Sequence, residues 1–174
     1  MPVRIAVCTI SDTRTPDTDT SGGYLIKALH ESGHELIEYS IIPDDLENII
    51  KTFKDLGKRQ DIDVILSTGG TGITARDVTP EAVETVIEKS IPGFGELFRM
   101  MSFQNIGTST IQSRACAGVF SGTLIFALPG STGACKDAWT FILQQQLDIT
   151  HKPCNFVQVL HRLDGAKRED PEIT

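Results

Sequence analysis

The sequence is poor in cysteine and has no cysteine spacing of the kind that holds a structural metal. Its four cysteines stand at positions 8, 116, 135 and 154, so no two form a CxxC pair, and no histidine lies at zinc-finger spacing from them. A small domain stapled by disulfides would be richer in cysteine. The cysteine content therefore predicts reduced thiols and a cytoplasmic protein.

Positive charge and long hydrophobic runs are also scarce. Sixteen Lys and Arg residues face 23 Asp and Glu residues, which gives a formal net charge of −7. This balance lacks the basic footprint of a duplex-binding protein. The longest apolar runs, such as residues 124–128, are too short to span a bilayer. The first residues enter a strand-like run without the apolar stretch of a secretory signal. We therefore expect neither a nucleic-acid partner nor a membrane partner.

The composition is that of a globular protein with an alternating α/β pattern. The 174 residues are 40% hydrophobic and 22% charged, and this length corresponds to about one domain. Mostly apolar, strand-like runs are predicted at 4–11, 36–42, 64–66, 116–119 and 124–128. Because helical patterns separate most of them, we predict a parallel or mostly parallel sheet covered on both faces. One domain is predicted over 1–174, with a core at about 4–156 and a polar tail at about 157–174 that is mobile from residue 162.

Helical segments are predicted from apolar periodicity and from residues that favour helix ends. Ser21 is the predicted N-cap of the first helix. Apolar residues at 46, 49, 50 and 53 follow the i, i+3, i+4, i+7 spacing of an amphipathic helix. Thr79 is the predicted N-cap of a third helix, with Pro80 at its first position. A short helix is predicted at 94–101, and a last helix carries apolar residues at 134–142.

A glycine-rich segment, STGGTG at 67–72, directly follows a predicted buried strand. In open α/β sheets ligands bind beyond the carboxyl ends of the strands, and glycine amides can be turned toward a phosphate. The segment is neither a Walker A loop nor a GxGxxG motif. Two interpretations stay open on this pattern alone, a phosphate-binding loop and a plain tight turn.

Three aspartates stand near strand ends. Asp77 follows the glycine-rich segment and could hold Mg²⁺ against substrate phosphates, or it could interact with the start of the next helix. Asp44 and Glu47 have the spacing of a capping box, so helix capping is an alternative to function there. Asp12 follows the first strand, where an Asx turn is the alternative. Arg114 lies beside a candidate loop, and an arginine in such a place is usually solvated.

Several segments, taken together, resemble the MoaB/MogA family of molybdopterin-binding proteins, which includes the G domain of gephyrin. The segments are STGGTG at 67–72, RDVTPEA at 76–82, DTSG at 19–22, IPD at 42–44, PGFGE at 92–96, SR at 113–114 and LPGS at 128–131. They occur in family order and span about residues 4–156. Residues 98–112 and 129–135 look more like the MoaB branch than the MogA branch.

This resemblance implies a three-layer α/β/α molybdopterin-binding fold that forms homotrimers or homohexamers. It also implies a reaction, the Mg²⁺-dependent transfer of AMP from ATP to molybdopterin, which gives adenylylated molybdopterin and pyrophosphate. The alternative is a non-catalytic molybdopterin-binding or assembly protein of the same pathway. The implied partners are molybdopterin, ATP, further copies of this chain and other enzymes of molybdenum cofactor synthesis. The dense apolar residues at 94–103 add to the expectation of an oligomer.

The resemblance also implies which residues form the site. Asp44 and Asp77 match the family's functional acids and are the predicted catalytic residues and Mg²⁺ ligands. The predicted substrate-binding or nucleotide-binding residues are Gly69, Gly70, Thr71, Gly72, Asp12, Ser113, Pro129, Gly130 and Ser131. The intact Arg76–Asp77 pair favours catalytic competence, whereas Ala75 departs from some catalytic members.

Overall fold

A computed structural model describes residues 1–168, so residues 169–174 of the predicted tail lie outside the described part. Its six strands are β1 (Arg4–Ile10), β2 (Glu35–Ile42), β3 (Val64–Thr68), β4 (Lys89–Ser90), β5 (Cys116–Phe120) and β6 (Thr123–Leu128). They form one sheet in the order β2-β1-β3-β6-β5-β4. The first four strands of that order pair in parallel, and the last two pairings are antiparallel. The prediction of a mostly parallel sheet is confirmed, and the two-residue edge strand β4 is an addition to it.

Helices cover both faces of this sheet. They are α1 (Thr20–Glu31), α2 (Leu46–Gly57), α3 (Thr79–Val86), α4 (Pro92–Ile106), α5 (Thr132–Ala138) and α6 (Gln144–Gln146). A π-helical turn, Trp139–Leu143, joins α5 to α6, and 3-10 helices span Gly107–Gln112 and Val157–Arg162. Within residues 1–168, no helix is long and apolar enough to cross a bilayer. The three-layer α/β arrangement is confirmed.

Alternate residues of β1 supply two separate cores. Ile5 and Val7 pack with α1, α4 and α5 on one face, whereas Ala6 and Cys8 pack with α2 and α3 on the other. Each of these four residues is fully buried. A strand buried on both faces has no polar side for alternation to reveal, so it is continuously apolar in the sequence.

The predicted cap of α1 is wrong. Asp19, not Ser21, is the N-cap, and its carboxylate accepts a hydrogen bond from the Gly22 amide at 2.9 Å. Tyr39 holds the same carboxylate from β2, with an O–O distance of 2.7 Å. The Ser21 hydroxyl instead donates to the carbonyl of Gly130 at 3.1 Å, which ties α1 to the turn after β6.

The starts of α3 and α4 also differ from the prediction. Val78 occupies the N-cap position of α3, and the Thr79 hydroxyl donates to the Gly69 carbonyl at 2.9 Å rather than capping the helix. Helix α4 begins at Pro92 and continues to Ile106, well beyond the predicted 94–101. Its outward-facing side also carries apolar residues, so helical periodicity does not mark its full length.

The chain packs against the domain beyond the predicted core boundary. Val157 and Leu160 are buried in the core. The ammonium group of Lys167 donates to the Gly57 carbonyl at 2.6 Å, and the guanidinium of Arg168 pairs with buried Asp63. The basic segment at 167–168 thus contacts the domain, where a buried carboxylate attracts it, and the mobility expected from residue 162 stays a prediction.

Candidate functional site

A cavity of about 740 Å³ opens at the carboxyl end of β3 and β6. Its walls are the loop after β3, the turn after β6, one side of α4 with the following 3-10 helix, and α5 with its π-helical turn. The predicted site residues that line it are Gly70, Thr71, Gly72, Asp77, Ser113, Pro129, Gly130 and Ser131. Gly69, Asp44 and Asp12 are not among its lining residues. The structure thus brings most of the predicted residues to one cavity.

Gly70 lies where the cavity and Asp44 meet. Its φ of +65° is in the left-handed region, which favours glycine. A Cβ at this position would lie 2.4 Å from Thr79 Oγ1 and 3.2 Å from Asp44 Oδ1. Gly70 is therefore required both by its backbone angle and by the close approach of the Asp44 carboxylate.

In the loop after β3, one backbone amide donates a hydrogen bond within the protein and two have no acceptor among the described residues. The Gly69 amide donates to the carbonyl of Leu128 at 3.0 Å, so the predicted role of Gly69 as a phosphate donor through its N–H is corrected. The amides of Gly70 and Thr71 have no acceptor in the part of the chain that the structure describes. Two backbone donors are thus left in residues that line the cavity.

Asp77 lines the cavity as an ionised carboxylate. Its Oδ2 accepts hydrogen bonds from the amide of Thr74 at 2.8 Å and from the Thr74 hydroxyl at 2.7 Å. These bonds, with help from the Gly72 amide and the positive charge of Arg114, hold the pKa of Asp77 below its usual value. A Cβ on Gly72 would come within 2.7 Å of Asp77 Oδ2. Since Val78 holds the N-cap position of α3, Asp77 is not its cap, and an interaction of the Asp77 charge with the helix dipole stays an alternative.

Asp44 is a carboxylate with an unused oxygen. Asp45 rather than Asp44 caps α2, accepting from the Asn48 amide at 3.1 Å, so the capping-box alternative is wrong as well. The Oδ1 atom of Asp44 is buried and has no hydrogen-bond partner among residues 1–168. Burial, and then the negative charge of Asp77, raise the pKa of Asp44. A desolvated carboxylate next to a second one attracts a cation.

Asp12 supports Asp44 rather than lining the cavity. Its Oδ1 accepts from the Asp44 amide at 2.9 Å, and its Oδ2 forms an ion pair with Arg76. The Asx-turn alternative is wrong, since the Arg14 amide, which would close such a turn, donates to the Ser11 hydroxyl at 3.2 Å instead. Asp12 therefore fixes the backbone at Asp44, and a direct contact with substrate stays a prediction.

Some lining residues gave no signal in the sequence. Lys136 on α5 is the one basic side chain among the lining residues described for the cavity. Asn105 donates to the carboxylate of Asp137 at 2.8 Å and so links α4 to α5. Phe141 reaches the cavity from the π-helical turn. Polar residues on helices are usually solvated, so only the tertiary fold shows that these face a site.

The two carboxylates fit a Mg²⁺ ion. Among residues 1–168, no three His, Cys, Asp or Glu side chains gather in an arrangement that could hold a metal. Mg²⁺ commonly binds through one or two protein carboxylates and completes its six ligands with water and substrate phosphates. The unpartnered Asp44 Oδ1 and the ionised Asp77 match that donor set.

The fold and this loop are those of a molybdopterin-binding domain. Residues 6–149 match a family described as a probable molybdopterin binding domain. The match covers most of the chain, so the chain belongs to this family.

Within this family, the chain is similar to proteins of the MoaB branch. Molybdenum cofactor biosynthesis protein B of Escherichia coli (strain K12) is 47% identical over 156 residues, which cover 90% of this chain and 92% of that protein. The protein of the same name from Halalkalibacterium halodurans is 51% identical over 146 residues, covering 83% and 86%. The resemblance to the MoaB/MogA family is thereby confirmed.

Solved structures agree. A crystal structure of a molybdenum cofactor biosynthesis protein B has a TM-score of 0.82 at 45% identity, covering 84% of this chain and 92% of its own. The tungsten cofactor synthesizing protein MoaB from Pyrococcus furiosus has a TM-score of 0.74 at 31% identity, covering 96% and 98%. The fold is thus the MoaB/MogA fold, and the curated relatives named above are molybdenum cofactor biosynthesis proteins.

Proposed function

We propose that this chain is a molybdopterin adenylyltransferase, which moves AMP from ATP to molybdopterin and releases pyrophosphate. The observation that carries the proposal is the pair of aspartates beside the open loop. Asp44 has a buried oxygen without a partner, Asp77 is ionised, and the amides of Gly70 and Thr71 are free to donate. Two backbone donors and two carboxylates suit phosphate groups and a divalent cation. Membership of a family of probable molybdopterin-binding domains supports molybdopterin as the second substrate.

The reaction asks little of a general base. The terminal phosphate of molybdopterin is already an anionic nucleophile, so positioning and charge stabilisation carry the rate. The Gly70 and Thr71 amides donate to phosphate oxygens, and Asp44 and Asp77 hold the cation. Bound Mg²⁺ supplies positive charge that offsets the negative charge on the phosphate oxygens.

Other residues that line the cavity supply the remaining substrate contacts in this proposal. The hydroxyl of Ser131 accepts from the Ala134 amide at 3.2 Å, and the hydroxyl of Ser113 accepts from the Ala115 amide at 3.3 Å. Each hydroxyl hydrogen is therefore available to a ligand. Lys136 adds the one ammonium group that residues 1–168 bring to the cavity wall, and it suits a phosphate or pyrophosphate group.

We also propose that the chain forms a homotrimer or homohexamer. Phe94 and Phe98 from the predicted apolar segment are buried in the chain's own core and give no support. The support comes from Met100 and Phe103 on α4 and Ile111 on the following 3-10 helix, which are 61%, 55% and 82% exposed. Light scattering should give three or six times the 19.0 kDa chain mass, and a monomer at micromolar concentration would contradict the assembly.

The decisive experiment incubates purified protein with molybdopterin, ATP and Mg²⁺ and measures both products. Adenylylated molybdopterin and pyrophosphate should form in equal amounts and should stop forming when EDTA is added. Tight molybdopterin binding without either product would refute the proposal and favour the non-catalytic alternative.

A further inference from the structure

The side chain of Arg114 lies against the loop that carries Gly72 and Asp77. Its Nε donates to the Gly72 carbonyl at 2.7 Å, and one terminal nitrogen donates to the Asp77 carbonyl at 2.6 Å. The other terminal nitrogen pairs with Glu81 on α3. The backbone amide of Arg114 also donates to the Thr71 carbonyl, at 2.9 Å. Arg114 is therefore held by the protein rather than solvated.

These contacts orient the loop peptides. In a trans peptide the C=O and N–H bonds point in opposite directions. Because the Thr71 carbonyl faces the Arg114 backbone, the Gly72 amide must point away from it. That amide helps to lower the pKa of Asp77, in agreement with this orientation. The Gly72 and Asp77 carbonyls are anchored on the same guanidinium, so one side chain fixes both ends of the segment 72–77.

We propose that Arg114 is the positioning residue that holds Asp77 and the glycine-rich loop in the arrangement needed for adenylyl transfer, an inference that rests on the proposed function. Arg114 is not among the residues that line the cavity, so it acts through the loop. Glu81 offsets the guanidinium charge and directs its fork toward the two carbonyls.

Two substitutions of Arg114 distinguish the role of its planar set of donors from the role of its positive charge. A guanidinium presents several donors in a rigid plane and can reach Gly72, Asp77 and Glu81 together, whereas an ammonium is a compact point charge. Arg114→Lys keeps the positive charge near Asp77 but loses the three-way anchor. Arg114→Met loses both. Arg59→Lys is the matched control, because Arg59 pairs with Glu38 and Asp61 outside the cavity.

The first measurement needs no substrate. In protein labelled with ¹⁵N at glycine, Arg114→Lys should move the amide resonances of Gly70 and Gly72. The resonance of Gly33, which follows the C-terminal end of α1 and does not line the cavity, should not move. Arg59→Lys should move neither loop resonance. Unmoved loop glycines in Arg114→Lys would overturn the inference whatever the activity.

The second measurement is the steady-state kinetics of adenylyl transfer. Arg114→Lys should lower kcat by roughly 10- to 100-fold, the scale of a small misplacement of a reacting group, with little change in KM for ATP. Arg114→Met, which loses the planar donor fork and the charge together, should lower kcat at least as much.

Each outcome has one meaning. Wild-type kcat in Arg114→Lys, or an equal loss in Arg59→Lys, overturns the positioning role. A lower melting temperature with an unchanged kcat assigns Arg114 to stability alone and also overturns it. If the wild type forms no adenylylated product while the glycine resonances move as expected, the proposed function fails, and the positioning role fails with it as a catalytic one.

Discussion

Two aspartates at opposite ends of the sheet are in opposite states. Asp63, just before the amino end of β3, is 2% exposed and is saturated by Arg4 and Arg168. Burial alone would raise its pKa, but the hydrogen bonds from Arg168 and Arg4 outweigh burial and lower the pKa to about 2. Asp44, just beyond the carboxyl end of β2, is half-buried and has an oxygen with no partner within residues 1–168 and a raised pKa.

This contrast distinguishes a structural carboxylate from a functional one. A buried carboxylate that has all its partners stabilises the fold, and removing one partner lowers the free energy of unfolding. A desolvated carboxylate without partners costs free energy and is retained where a ligand completes it. We therefore call the amino end of the sheet, where Asp63 has all its partners, the closed end. We call the carboxyl end, where Asp44 has an oxygen open to a ligand, the binding end.

The largest expected effect is at the closed end. Asp63→Asn leaves Arg4 and Arg168 without a counter-charge, and breaking a buried pair costs about 3–5 kcal/mol of unfolding free energy. Urea unfolding of Asp63→Asn and of the neighbouring, exposed control Asp61→Asn measures the difference. Equal stabilities for the two variants would show that the closed end contributes little.

The next effect is at the binding end. Asp77→Asn should lower adenylyl transfer by about two orders of magnitude or more, the scale of losing about 2.7–4 kcal/mol of transition-state stabilisation. Folding should change little, because the amide oxygen can still accept from Thr74. Molybdopterin binding should persist, since the pterin does not depend on this charge. Asp45→Asn, which alters a neighbouring helix cap, is the control and should turn over normally.

A third, smaller effect is the acid dependence of stability. The pKa of Asp63 is lowered to about 2 in the folded chain, so its contribution is present above its unfolded value near 3.8 and is lost as the pH falls toward 2. The loss should be about 2 kcal/mol and should be absent in Asp63→Asn. Unfolding free energies measured between pH 5 and pH 2 would contradict this if the two proteins declined in parallel.

The smallest effect on stability is expected at Asp44. Because its folded pKa is raised, the ionised form is disfavoured by folding, so Asp44→Asn should cost no more than about 0.5 kcal/mol and could stabilise the chain. Its adenylyl transfer should nevertheless fall. A loss of stability like that of Asp63→Asn would remove the distinction between the two ends.

The fold was largely predictable because the strands are continuously apolar and the segments between them are helical. The site was predictable where glycine follows a strand directly, as at Gly70, and where the family resemblance marks an acid, as at Asp77. Helix starts were not, because Asp19 is fixed by Tyr39 from another strand and Asp45 competed with Asp44 for the same cap. Lys136 needed the packing of α5 to reveal that it faces the cavity.

The parallel pairing of β3 with β6 has a consequence for how the chain folds. Val64 pairs with Leu124, about 60 residues further along the chain. Contacts between such distant segments form only after the entropy of closing a long loop has been overcome. The loop after β3 and the turn after β6 form adjoining walls of the cavity, and they come together only when this pairing is made. A nascent chain that has β1, β2 and β3 in place therefore still has no substrate site, and we expect ligand-binding capacity to appear late in folding.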